Sequence, residues 1–299
     1  MKSLLRKLAP DALLTWYRKR TKRRKSKQLQ ESSENGDIIS KDDLLNDLRN
    51  AGIENGDSIL VHASLSSIGF VEDGASTVVE ALLEAAGEHG NLLMSTSPNA
   101  KLQLDYIKTL KVFDVEKDPS KLGAVSEYFR KLPQSKRSAH PTEPVSCIGP
   151  KADYFTADHF GCLTPYAEKS PFYRVSEIGG KILYLGVTFD NAGTNLHTLE
   201  DAIKDFKYPV YYPEVFEIPV KFSDGSIQSM KTKVHNPEQS SKRKCDGLIP
   251  LFKERGVLTE VKIGKAKSLL VDAKAMFDCM IEEYNSRGVT MYTPEGKER

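Results

Sequence analysis

A strand–helix–strand run starting at residue 58 restricts the folds open to this 299-residue chain more than any other feature. Ser58-Ile59-Leu60-Val61-His62 is a short apolar strand. Residues 74–87 follow as an amphipathic helix, with Val78, Val79, Leu82, Leu83 and Ala86 at helical spacing and Gly87 where a C-terminal cap is expected. Asn91-Leu92-Leu93-Met94 is a second strand, and residues 181–187 are a third. Strand, helix and strand with short connections imply an α/β fold, a parallel or mixed sheet layered with helices. Upstream, Ser40 and Asp43 form a helix start, and Leu44, Leu45 and Leu48 continue it to Gly52. In the last third, Phe216, Ile218, Val220 and Phe222 alternate up to Asp224-Gly225, and residues 227–234 run back. That is a β-hairpin inserted in the α/β body, because Asp-Gly supplies the positive φ angles of a tight turn. A final helix is expected from Ala266 to about Glu283, with Leu269, Leu270, Ala273, Phe277 and Met280 on one side.

Charge divides the chain at about residue 36. Residues 1–36 hold eleven Lys or Arg against three Asp or Glu, whereas the other 263 hold 32 against 38. A mildly acidic body argues against nucleic acid as a partner. The leader combines apolar positions (Leu4, Leu5, Leu8, Leu13, Leu14, Trp16, Tyr17) with a run, 18–27, in which eight of ten residues are basic. This pattern suits an anionic membrane surface through residues 1–27, the alternative being a solvated tail. Residues 28–36 read as a linker, which leaves 37–299 as one catalytic-sized domain. No stretch is long and apolar enough to span a bilayer. Cys147, Cys162, Cys245 and Cys279 have no paired spacing and read as reduced thiols of a cytoplasmic protein, peripheral on the inner membrane face if the leader binds there.

Three clusters carry candidate chemistry. Ser64, Leu65, Ser66, Ser67 and Ile68 follow the first strand, and such a turn either cradles phosphate or is merely a turn. Arg137 beside Ser138 has the donors to grip a phosphate, or is a surface arginine before a loop proline. His197 follows the third strand, at the mouth of the sheet, where α/β folds place ligands, and Thr194 or Asn195 could cap a helix there. Glu200, three residues on, can orient that imidazole, and histidine with a carboxylate is the minimal unit for taking a proton from an amine or alcohol. His235 and Glu238 could bring a second histidine and carboxylate to the mouth. His159 and Cys162 have ligand-like spacing without a second pair, so no metal is expected. His89, at a helix-end turn, is expected to be solvated. Dinucleotide, Walker, nucleophile-elbow and zincin motifs are absent from the sequence.

Together the clusters resemble the aminoglycoside 3-N-acetyltransferase family. The resemblance is carried by GDSILVHASLSSIGFVEDGASTVVEALLEAAGEHGNLLM (56–94), FDVEKDPSKLGAVSEYFRKLPQSKRSAHP (113–141), SPFYRVSEIGGKILYLGV (170–187) and TNLHTLE (194–200), in that order, within about 240 positions. It implies a three-layer α/β/α fold with a mixed central sheet and an acetyl-CoA-dependent N-acetyltransferase. It also implies that Ser64 to Ile68, with Arg137 and Ser138, bind coenzyme A and that His197 is the general base. Glu200, or Glu238 reaching across, would hold the imidazole, and Asp114, Tyr166 and His235 are candidates for the acceptor side. The chain departs from the family pattern at Ser66, where an arginine is usual. Residues 99–111 offer one acid, Asp105, against three lysines, and His235 to Glu238 replace an acidic signature. A polycationic drug is poorly served by such a lining. The expected acceptor is therefore a nucleotide- or glycan-linked amino sugar used in surface polysaccharide. True aminoglycoside acetylation is the alternative, and a degenerate membrane-peripheral scaffold and a thioester hydrolase are further readings. A homo-oligomer is compatible with all of them.

Overall fold

The computed structural model describes residues 20, 27, 34–99 and 102–296. The leader's apolar positions, most of the basic run and residues 28–33 of the linker therefore lie outside the described residues.

The described elements begin with β1 (Ile38–Ile39) and α1 (Lys41–Asn50), then β2 (Ser58–Ala63), α2 (Leu65–Ile68), β3 (Phe70–Val71), α3 (Ala75–Ala86) and β4 (Asn91–Ser95). Next come α4 (Gln103–Ile107), β5 (Phe113–Asp114), α5 (Ala124–Arg130), β6 (Lys136–Arg137), β7 (Val145–Ile148) and α6 (Ala152–Thr156). They continue with α7 (Pro171–Glu177), β8 (Lys181–Leu185), α8 (Phe189–Ala192), α9 (Thr198–Ala202), β9 (Phe216–Lys221) and β10 (Ile227–Thr232). The last are α10 (Pro237–Ser240), α11 (Ile249–Glu254), β11 (Leu258–Ile263), β12 (Ala266–Asp272) and α12 (Ala273–Arg287).

Seven strands form a mixed sheet in the order β11-β12-β8-β2-β4-β7-β6. The central strand β2 runs parallel to β4 and β8, and the outer pairings are antiparallel. Apolar side chains alternate between two buried faces, which is why the strands read as unbroken hydrophobic runs. Ile59, Val61, Leu92, Met94, Leu183 and Leu185 pack with Leu44 and Leu48 of α1, Val78, Val79 and Leu82 of α3, and Val125 and Phe129 of α5. Leu60, Leu93, Ile182 and Tyr184 pack on the other side with Phe155, Phe172, Val175, Phe252, Met276 and Met280. This is the expected three-layer α/β/α arrangement. The capping box forms as expected, with Ser40 Oγ accepting from the Asp43 amide at 3.1 Å and the Asp43 carboxylate accepting from the Ser40 amide at 2.9 Å. The β9–β10 hairpin pairs with β5 and has its own small core of Phe113, Ile218, Val220, Met230 and Val234.

One expectation is corrected. Ala266–Asp272 is a strand pairing with both β8 and β11, and the final helix starts at Ala273. Asp272 caps it by accepting from the Ala275 amide at 2.8 Å. Leu269 and Leu270 suit either period, so sheet pairing decided between them.

Candidate active site

A cavity of about 380 Å³ opens at the carboxyl ends of β2, β4 and β8. Its walls include His62 and Ala63 from β2, Ser95 from β4, Val187 after β8, and the segment 190–194. Tyr166, His197, His235, Glu143 and Arg243 also line it. Parallel strands end together here, and the departing loops leave a crevice between them.

After β8 the chain turns through α8 and a 3₁₀ turn, Thr194–His197, so that His197 is the residue preceding α9 rather than part of its first turn. Neither proposed cap forms: Asn195 Nδ2 donates to the Phe172 carbonyl at 3.0 Å, and Thr194 Oγ1 lies 3.1 Å from His62 Nε2. His197 Nδ1 lies 2.8 Å from Glu200 Oε2, with the two residues only 5 % and 4 % exposed. Tyr292 Oη donates to Glu200 Oε1 at 2.7 Å, and His235 Nε2 approaches Oε2 at 3.3 Å. His235 is stacked between Tyr166 and Tyr211, and Tyr166 also lies against His197. Burial, aided by the charge of Arg243, holds the His197 imidazole neutral, well below the usual histidine range. Burial opposes ionisation of Glu200, but its contacts with His197 and His235 prevail and keep it a carboxylate. Burial pushes Glu143 up to about 7, against a hydrogen bond from Gln103 at 2.8 Å and the charge of Arg243.

The other expected site residues divide. Tyr166 and His235 line the cavity. The serine turn stands beside it: the Ser64 amide donates to the Leu185 carbonyl at 2.9 Å, Ser67 Oγ donates to Ser64 Oγ at 3.0 Å, and Ser66 is exposed. Ile68 is wholly buried in the core and Leu65 packs against that core, so neither side chain faces the cavity.

Arg137 and Ser138 are corrected. Arg137 donates to the carbonyls of Val115 (3.0 Å), Asp118 (2.6 Å) and Thr96 and to Thr96 Oγ1 (3.1 Å), leaving almost no donor for a phosphate. Ser138 Oγ accepts from the Val145 amide at 2.9 Å and lies 2.8 Å from His159 Nδ1, away from the cavity walls. Glu238 is exposed at the start of α10, and of the two carboxylates it is Glu200 that bonds to His197. Asp114 takes the Lys221 ammonium at 3.1 Å and the amides of Glu116 and Lys117, within the hairpin sheet. His159 stacks on His140 and bonds to the Pro165 carbonyl, as a core group. His89 is exposed.

Sequence reasoning missed His62, Glu143, Arg243 and Tyr292. A histidine ending an apolar strand was a usable signal for His62; Tyr292 reaches Glu200 across 92 positions and had none.

Residues 60–285 match the family model for aminoglycoside 3-N-acetyltransferase, and the chain belongs to that family. It is 38% identical over 162 residues to aminoglycoside N(3)-acetyltransferase IV of Salmonella, a match spanning 54% of this chain and 58% of that relative. Its fold superimposes on AAC-IIIb in binary complex with CoASH with a TM-score of 0.70, at 27% identity, covering 83% of this chain and 97% of the other. A histidine-to-alanine mutant of the aminoglycoside acetyltransferase AAC(3)-IVa in complex with a gentamicin superimposes with a TM-score of 0.66, at 27% identity, covering 83% and 89%.

Proposed function

We propose that the chain is an acetyl-CoA-dependent N-acetyltransferase whose acceptor is an amine of an aminoglycoside. The observation that carries this is the buried His197–Glu200 pair opening on the cavity at the strand ends. Glu200 accepts the Nδ1 proton of His197 and so leaves the lone pair on Nε2. An acceptor ammonium must lose a proton to attack. That first proton goes to solvent; as the neutral nitrogen adds to the acetyl carbonyl, His197 takes a second proton from it and returns it to the sulfur when the C–S bond breaks, so that coenzyme A leaves as its thiol. A positioned base contributes about 10²- to 10⁴-fold. The Leu65 and Ser66 amides and the Ser64 and Ser66 hydroxyls adjoin the wall formed by His62 and Ala63, and they are our candidates to hold the thioester and its developing oxyanion. The cavity suits the acetyl end of that co-substrate. With Arg137 engaged elsewhere, the serine turn is left as the candidate cradle for the rest.

The named relatives favour an aminoglycoside over the nucleotide- or glycan-linked amino sugar expected from the sequence. One observation sustains a second reading: Arg243 lines the cavity, and its Nε and Nη2 make no hydrogen bond of ordinary geometry. An acceptor with one amine and an anionic group would complement it. A thiol-release screen of acetyl-CoA against gentamicin, sisomicin and apramycin, alongside phosphorylated and nucleotide-linked amino sugars, tests both. Release with the drugs supports the first reading. Release with the anionic sugars alone shifts the assignment to the second. No release with any amine would leave a scaffold, and thiol without acceptor a hydrolase.

A further inference from the structure

We infer that His197, Glu200 and His235 form a binding site for a divalent transition-metal ion of zinc or cobalt type, which competes with catalysis. The two histidines place one nitrogen each, and Glu200 one carboxylate oxygen, within 4.8 Å of one another. Individual separations are 2.8 Å from His197 Nδ1 to Oε2 and 3.3 Å from His235 Nε2 to Oε2, and the two histidine nitrogens lie within 4.8 Å of each other. Ligands at about 2.0–2.1 Å from a tetrahedral zinc sit roughly 3.3 Å apart, so His197 opens by about half an ångström from Glu200 and the two imidazoles settle to that same spacing as the ion binds. Two neutral imidazoles and one carboxylate are a donor set that zinc and cobalt accept, with a fourth position left for water or a thiol.

A second observation points the same way. His235 is only 6 % exposed, yet its Nε2 has no properly directed hydrogen bond, although it faces Glu200. A buried nitrogen left without a directed partner is costly in a folded protein, and a metal ion would satisfy it. The outer contacts are in place: Tyr292 holds Oε1, leaving Oε2 to the ion, and the tyrosine rings of Tyr166 and Tyr211 fix the His235 plane. His197 and His235 both line the cavity, which supplies an entry path. Arg243 stands on the same wall, and its positive charge opposes a second cation. The ion is therefore an exchangeable inhibitor rather than a resident cofactor. Bound there, it takes the His197–Glu200 contact away from proton transfer; this inhibitory consequence alone rests on the function proposed above.

Chelator-treated full-length protein titrated with cobalt chloride tests the site directly. Visible d–d bands of four-coordinate cobalt should saturate at about one ion per chain. His235→Ala and His235→Gln should each weaken binding by about 10- to 100-fold or more, whereas His89→Ala, an exposed histidine outside the site, should not. Zinc should raise the melting temperature of the parent protein and not that of the His235 variants, with circular dichroism reporting that both are folded. Absent bands at stoichiometric cobalt, or bands that survive both His235 substitutions, overturn the site. Zinc inhibition of acetyl transfer is read separately. If no amine is ever acetylated, the spectrum still decides the metal site and only the proposed function falls.

Discussion

Because burial keeps His197 neutral and Nδ1 is given to Glu200, the imidazole already has the form that the proposed base requires. The folded-state value lies below the ordinary histidine range near 6.5, so lowering the pH to 6 does not protonate this ring. The expected pH profile of kcat/KM has no acid limb near 6.5 and rises as the acceptor amine loses its proton. A limb there, removed by no substitution other than one at His197, would show that the ring titrates normally. Glu200→Gln keeps the volume but removes the anion, and kcat should fall by about 10²-fold or more in single-turnover assays. This pair was legible in the sequence because three positions separate its members. Arg137 was misread for the opposite reason. An arginine beside a serine looks like an anion grip, and only the tertiary structure shows its donors taken by three carbonyls and a threonine hydroxyl.

Elements that fold on local rules were the ones readable in advance: the capped α1, the amphipathic α3 and the Asp-Gly hairpin. The strand β12 was not, since its identity depends on neighbours on both sides. The junction after β8 likewise shows itself only in three dimensions. Gly186 has φ +69°, and a Cβ there would lie 2.6 Å from Ser67 Cβ, so the serine turn packs directly on the backbone leading to His197. Gly186→Ala should therefore cost more than about 1 kcal/mol in urea unfolding. If the turn holds the thioester, the same change should raise KM for acetyl-CoA more than KM for the acceptor. An unaltered KM ratio would separate the turn from co-substrate binding.

At the scale of the whole molecule, five of the six histidines are buried, and each has its pKa lowered by burial. His62 falls to about 4 and His159 to about 3. The unfolded chain binds these protons below pH 6.5 and the folded chain does not, so stability falls as pH drops from about 6.5 towards 4. The His62 shift alone is worth on the order of 3 kcal/mol over that interval. Glu143, raised to about 7, and Asp201, raised to about 6, act in the opposite sense, but two carboxyls do not outweigh five imidazoles. Urea midpoints at pH 7 and pH 5 should differ accordingly, with the lower value at pH 5. For the leader, we expect the full chain to sediment with anionic vesicles and a variant with residues 18–27 neutralised to remain in solution. No helix among the described residues is long and apolar enough to cross a membrane. Finally, the hydroxyl that steadies Glu200 belongs to Tyr292, downstream of α12. A ribosome will have made both His197 and Glu200 long before it makes their brace. A product that stops short of residue 292 would carry that pair without the means to hold it still.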